Sequence, residues 1–210
     1  LVVPARHVTN AVTAVNFDFR GLDTLGEELI LFAATVGVAM LFRGTRGQAT
    51  TAAPVRIEGR KRPGRSEAVA LMARVFAPLT FVFGIYVVLH AQLTPGGGFQ
   101  GGVILFAAVL LAYLADGYGA WTRLTPPIAI HLAESCGILV YLFGGLVSLA
   151  LGGVYLQNNL PLGALGSIVS GGLIPILNAG VALAVAAGFC AVAREFLEET
   201  RRYSDEDERA

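Results

Sequence analysis

Leu89-His-Ala-Gln-Leu-Thr-Pro-Gly-Gly-Gly-Phe-Gln-Gly-Gly102 separates two long apolar runs and places five glycines within seven positions. Glycine at that density is unfavourable inside either a helix or a strand. The stretch therefore reads as a turn at which backbone meets backbone. The runs on either side, Ala68 to Leu89 and Val103 to Ala115, have the character of membrane-spanning helices, the second of them beginning among the glycines. Across all 210 residues the mean hydropathy is +0.66, with 55% hydrophobic and 14% charged residues, so the expected solvent is a lipid bilayer. A formal net charge of zero gives no bulk basic signal for nucleic acid.

Further spans follow on both sides. Leu29 to Phe42 is too short alone to cross about 30 Å of hydrocarbon at ~1.5 Å per residue, but long enough when extended back to Leu22. Ile128 to Leu151 is a fourth span, begun by Pro126-Pro127 in a first turn, and Leu173 to Val192 is a fifth. Gly152 to Ser170 is uncharged and reads as an outer loop or a partly re-entrant excursion. Upstream, Val8, Ala11, Val12 and Val15 recur at helical spacing with Asn10, Thr13 and Asn16 between them, the pattern of an amphipathic helix lying on the membrane or against a partner. The expected fold is all-α: a polytopic membrane protein with about five transmembrane helices and a short N-terminal amphipathic helix. Its expected parts are residues 1–43, a basic cytoplasmic linker at 44–66, a four-helix membrane domain at 67–196, and a frayed cytoplasmic tail at 197–210.

Charge gives the orientation. Arg43, Arg46, Arg56, Arg60, Lys61, Arg62 and Arg65 face only Glu58 in their stretch, which the positive-inside rule puts in the cytoplasm, whereas the loops after Leu89 and Leu151 carry no Lys or Arg. Arg6 and Arg20 count against that orientation. Arg74 can snorkel to the cytoplasmic end, and Trp121 with Tyr113 and Tyr118 suits an aromatic belt there. Cys136 and Cys190 each stand alone in an apolar run, without disulfide, zinc or iron–sulfur spacing. No cleavable signal peptide is expected, and residues can precede Leu1.

The residues able to carry chemistry are few. Gly96-Gly97-Gly98-Phe99-Gln100-Gly101 matches G-x-G-x-x-G formally, but it follows a membrane span and no acidic residue lies about 20 positions on, so a dinucleotide site is rejected. The pairs Gly97/Gly101 and Gly98/Gly102 instead suit close helix packing. Asp23 is a plausible N-cap for the first span. Glu27 is read either as part of that capped start or as an ionisable group facing a water-filled path. His131 and Glu134, three apart on one helical face, are either a solvated pair near the interface or a relay facing the bundle interior. The ion-path candidates are therefore Asp23, Glu27, His90, His131 and Glu134. No catalytic residue, cofactor or bound metal is expected.

Tyr86 to Gly102, reading YVVLHAQLTPGGGFQGG, resembles the signature of the B subunit (MnhB family) of Mrp-type multisubunit sodium/proton antiporters and its counterpart in membrane-bound hydrogenases. His90, Pro95, Gly96, Gly97, Gly98, Phe99, Gly101 and Gly102 carry the match, which extends to about Phe196 and weakens after Gly153. Gln92 stands where many relatives have a histidine three residues before the proline. Asn16 to Phe32, NFDFRGLDTLGEELILF, separately resembles the C-terminal end of the large A subunit or the equivalent small hydrogenase subunit, through Asp18, Arg20, Asp23, Gly26 and Glu27. The resemblance implies a plasma-membrane subunit that assembles with the A, C, D and smaller subunits of a complex exchanging Na⁺ for H⁺. It leaves the lysine-centred transport helices to other subunits, since the single lysine here, Lys61, lies in the basic loop. Two other readings stay open: a subunit of a redox-driven pump, and a structural scaffold.

Overall fold

In a computed structural model the described residues are 5–48 and 66–207, with side chains described for 5–42 and 66–200. Most of the basic linker, 49–65, and the last residues, 208–210, lie outside them. Seven α-helices are present among the described residues: α1 (Ala11–Ala14), α2 (Gly21–Gln48), α3 (Glu67–Leu89), α4 (Gly98–Asp116), α5 (Tyr118–Leu124), α6 (Pro127–Ala150) and α7 (Ile174–Asp207). Five are long and apolar enough to cross a membrane, over Gly21–Phe42, Glu67–Leu89, Gly98–Asp116, Pro127–Ala150 and Ile174–Thr200. The chain is a multi-pass membrane protein.

Helix α7 is the hub, packing on α2, α4 and α6 and touching α3, while α3 lies mainly against α4. Of α7's apolar stretch 56% is buried, against 11–28% in the other four spans. Its sequence explains this: Ala179, Gly180, Ala182, Ala184, Ala187 and Gly188 are small, so neighbouring backbones can approach on several faces. A Cβ on Gly137 of α6 would lie 2.5 Å from Gly180 O, so that crossing is closed by glycine on both sides. Much of α3 faces away from the bundle, with Leu71, Val75, Leu79, Val82 and Phe83 exposed on the isolated chain.

The glycine stretch does what its composition predicts, by a different pairing. Gly98 and Gly102 face α7, where a Cβ on Gly102 would meet Ala182 O and Val185 Cβ, each at 2.8 Å. Gly101 turns instead to α3, against Val88 and Gly84, and Gly97 serves as the N-cap of α4, so the expected Gly97/Gly101 pair does not form one packing face. Asn178 of α7 fastens this corner. Its Oδ1 accepts from Gly98 N at 2.5 Å and its Nδ2 donates to Val88 O at 2.8 Å. One amide thus satisfies a free N–H at the start of α4 and a carbonyl near the end of α3.

Four expectations need correction here. The N-terminal segment is not a regular amphipathic helix: α1 is one turn, followed by a π-helical turn at Val15–Phe19. Its buried residues include Thr13, whereas Val12 is 63% exposed. Polar bonding outweighs the apolar stripe, because Thr9 N, Asn10 N and the Asn10 and Thr13 side chains all bond to carbonyls of residues 91–94. Asp23 does not cap the first span. The helix begins at Gly21, Arg20 O accepts from Asp23 N at 2.9 Å, and Asp23 sits in the first turn paired with Arg20. Trp121 does not face lipid as a belt residue would: it is fully buried, edge-on to Tyr113 at 6.1 Å, because α5 packs against α4. The tail from residue 197 is not frayed at its start, since α7 stays helical to Asp207.

The loop from Leu151 to Leu173 closes over the end of the bundle that also carries the N-terminal segment and the glycine turn. Asn158 accepts from Leu173 N and donates to Gly171 O, both at 2.8 Å. Leu156 is buried against Gly21, and His7 Nδ1 lies 2.5 Å from Gly163 O. At the opposite end Arg74 pairs with Asp116 at 2.5 Å and Arg194 donates to Thr125 O at 2.9 Å.

Candidate functional site: a polar column between α2 and α6

Polar groups inside a membrane bundle are costly and need a physical account. On α2, Thr24, Glu28 and Thr35 recur at intervals of four and seven and all are buried. On α6, Glu134 and Tyr141 share a face at an interval of seven and are buried as well. The two stripes meet. Tyr141 donates to Gly21 O at 2.9 Å, Thr24 donates to Asn16 O at 2.8 Å, and Thr35 donates to Glu134 Oε1 at 2.8 Å. From α7, Gly188 leaves the room this needs, for a Cβ there would lie 3.3 Å from Thr35 Cγ2 and 3.4 Å from Glu134 Oε1.

Glu28 lies between these bonds and makes none of them. It is 1% exposed, and neither carboxylate oxygen has a hydrogen-bond partner among the described residues. It is close enough to Glu27 and Glu134 for their charges to act on it. A carboxylate so placed is the most unusual group in the structure, since an unpaired buried charge is among the least favourable arrangements in a protein.

The expected site residues are divided by the fold. Glu134 is in the column. Glu27 is exposed and turned away from Glu28, at the rim of a cavity of about 240 Å³ whose wall includes Thr13, Asn16, Thr24, Gly96, Gly97 and Gly98. The cavity thus brings Glu27 and the glycine stretch together. His131 is exposed while Glu134 is buried, so the two do not form a pair. A three-residue interval leaves side chains about 60° apart on the helix, enough to put one inside and the other at the edge. His90 is held at the end of α3, its ring stacked on Tyr86 at 4.2 Å with Nδ1 3.1 Å from Tyr86 O. Asp23 is at the surface with Arg20. Pro95 is exposed at the turn and Phe99 packs against the main core.

Sequence reasoning passed over Glu28, Thr35, Thr24 and Asn178. The first three had a legible signal: polar residues at helical spacing in an otherwise apolar span mark one face. Asn178 had only its presence in an apolar run.

Residues 68–191 match the model of a domain related to the MnhB subunit of Na⁺/H⁺ antiporters. The chain belongs to this family. The MnhB match includes Glu134 and the glycine stretch but not α2, so the column joins a span outside the family domain to one inside it. An uncharacterised protein of Methanocaldococcus jannaschii is 33% identical over 200 residues, which cover 89% of this chain and 76% of that protein. A probable K⁺/H⁺ antiporter protein of Rhizobium meliloti, of the A/B type, is 27% identical over 159 residues, covering 65% of this chain and 16% of that one. Among solved structures, a chain of the membrane-bound sulfane sulfur reductase, an archaeal respiratory membrane complex, superposes with a TM-score of 0.71 at 33% identity, over 93% of this chain and 81% of that one. A chain of the Mrp complex from Dietzia sp. DQ12-45-1b has the same TM-score of 0.71 at 23% identity, over 92% of this chain and 21% of that one, a likeness of fold. Both solved relatives are parts of larger complexes.

Proposed function

We propose that this MnhB-family chain is a membrane subunit of a multisubunit complex that exchanges Na⁺ for H⁺, working in the plasma membrane with A-, C- and D-type and smaller subunits. The observation that carries this reading is Glu134, a carboxylate kept in the interior of the MnhB-like domain by a hydroxyl from the adjoining span. An acid in such a place has a use in moving or balancing cations. The chain's share is ion conduction and assembly; Asp23, Glu27, His90, His131 and Glu134 are its candidate path residues, with Na⁺ and H⁺ the ions moved. The basic stretch 43–65 and the C-terminus face the cytoplasm, and the end carrying the glycine turn faces out. Na⁺-dependent proton movement in everted vesicles containing the full complex tests the reading: it is expected to fall in Glu134→Gln with the complex still assembled, and full activity would defeat a conducting role.

A redox-driven complex is the second reading. It is favoured by the sulfane sulfur reductase match, which has higher identity and covers more of both chains than the Mrp match. Identification of the chains that co-purify with this one separates the two, since an iron–sulfur or other redox protein among them selects the second.

A further inference from the structure

We propose that Glu28 is a proton-carrying group inside the α2–α6 interface, supplied from the cavity bordered by Glu27 and the glycine stretch. This rests on the ion-exchange reading above and adds to it a carrier and an access route.

Three independent features support the assignment. Glu28 is buried with both oxygens unpartnered among the described residues, and no cation among them neutralises it. A proton removes the charge without requiring any other donor. Second, the groups that act on Glu28 are acids and a phenol: Glu27 on its own helix, with Glu134 and Tyr141 on α6. On the α7 side Gly188 lies against Thr35 and Glu134 and brings no charge. Neighbours of this kind bring no positive charge to an apolar interior, so a proton is what can balance Glu28. Third, Thr24 has a place in both regions. It lines the cavity of about 240 Å³ and stands one helical turn from Glu28 on the same face of α2.

The exchange is balanced at Glu28. The O–H bond of its carboxyl breaks as the proton passes to water on the cavity side, leaving the carboxylate, and forms again when a proton returns from there. Thr35 donates to Glu134 Oε1 and so occupies the second buried carboxyl. Glu27, at the cavity rim, then serves as the collecting group and Glu28 as the carrier.

The test uses the intact complex in two measurements. Infrared difference spectra between acid and alkaline pH should show a protonated-carboxyl C=O band that is lost in Glu28→Gln and shifted in Glu28→Asp. Na⁺-driven proton uptake should fall at least tenfold in Glu28→Gln, with the composition of the complex unchanged because Gln has the shape of the neutral acid. A band that persists in Glu28→Gln overturns the proposal. So does a band that responds to Na⁺ at fixed pH and not to pH, which would make Glu28 a cation ligand. If the unmodified complex moves no protons in response to Na⁺, the antiporter reading falls, while the carboxyl band still decides whether Glu28 carries a proton. Should Glu28→Gln fail to assemble, Glu28→Asp serves in both measurements.

Discussion

Thr35 and Glu134, 99 residues apart in sequence, are joined by a 2.8 Å hydrogen bond in which the threonine hydroxyl donates to Oε1 of the buried glutamate. The bond ties the first span to the fourth at a place where Gly188 of the fifth gives both side chains room. Thr35→Val keeps the shape and removes the donor. Leaving a buried carboxyl oxygen without that donor is expected to cost about 1–3 kcal/mol, read as a lower thermal midpoint of the purified complex, while Thr35→Ser should restore it.

Asn178 makes two bonds that no apolar residue can replace, to Gly98 N and Val88 O. Asn178→Leu should destabilise the chain by about 2–4 kcal/mol, since two buried backbone groups lose their partner at once. Asn178→Asp tests the geometry more finely: it keeps the acceptor for Gly98 N and loses the donor to Val88 O. Protease resistance of the Leu89 to Gly98 turn in detergent is the measurement, with Leu the more damaging substitution.

Gly102 and Gly37 offer a matched pair. A Cβ on Gly102 would lie 2.8 Å from Ala182 O, a backbone atom that cannot move alone, whereas a Cβ on Gly37 meets nothing within 4 Å. Gly102→Ala is therefore expected to force α4 from α7 and lower the yield of folded protein, at a cost of about 1–3 kcal/mol. Gly37→Ala should be neutral or stabilise by up to about 1 kcal/mol through helix propensity. Equal effects at the two positions would show that the α4–α7 crossing is looser than its geometry implies.

Asp18 gives a pH dependence outside the spans. Burial raises its pKa above the usual aspartate value, and the opposing charge and hydrogen bond of Arg6 recover only part of that shift. A raised folded-state pKa means the contribution to stability is full below the unfolded value of roughly 4 and is lost as pH rises through the folded one. Amide-exchange protection of residues 5–20 should accordingly weaken as pH rises above the usual aspartate range and Asp18 ionises. Asp18→Asn should flatten that dependence, and an unchanged profile in the variant would assign it to another group.

Glu27→Gln and Glu134→Gln together separate rim from interior. Both should lower Na⁺-dependent antiport without loss of assembly. Glu134→Gln is expected to have the larger effect, tenfold or more, because Glu134 is 5% exposed within the column and Glu27 is open at the cavity. The readout is proton uptake in everted vesicles at several Na⁺ concentrations.

The number of the spans, and their limits to within a residue or two except at the C-terminal end of the fifth, were legible in the sequence alone. Length and apolarity suffice for that in a bilayer, where each helix satisfies its own backbone and needs no partner to be recognised. Leu89 to Gly102 likewise announced a close approach, because nothing but backbone contact asks for glycine so often. Which glycine meets which helix was decided only by the tertiary structure: Gly98 and Gly102 turn to α7 and Gly101 to α3, since adjacent helical positions point about 100° apart and the crossing angles select among them. The same holds for the carboxylates. Glu27 and Glu28 are neighbours in sequence and equal in chemistry, and locally only the helical spacing of Glu28 with Thr24 and Thr35 sets one apart from the other. Only the docking of α2 on α6 and α7 puts Glu28 inside with Glu134 and leaves Glu27 at the cavity rim, because burial is a property of the assembled bundle and not of the residue.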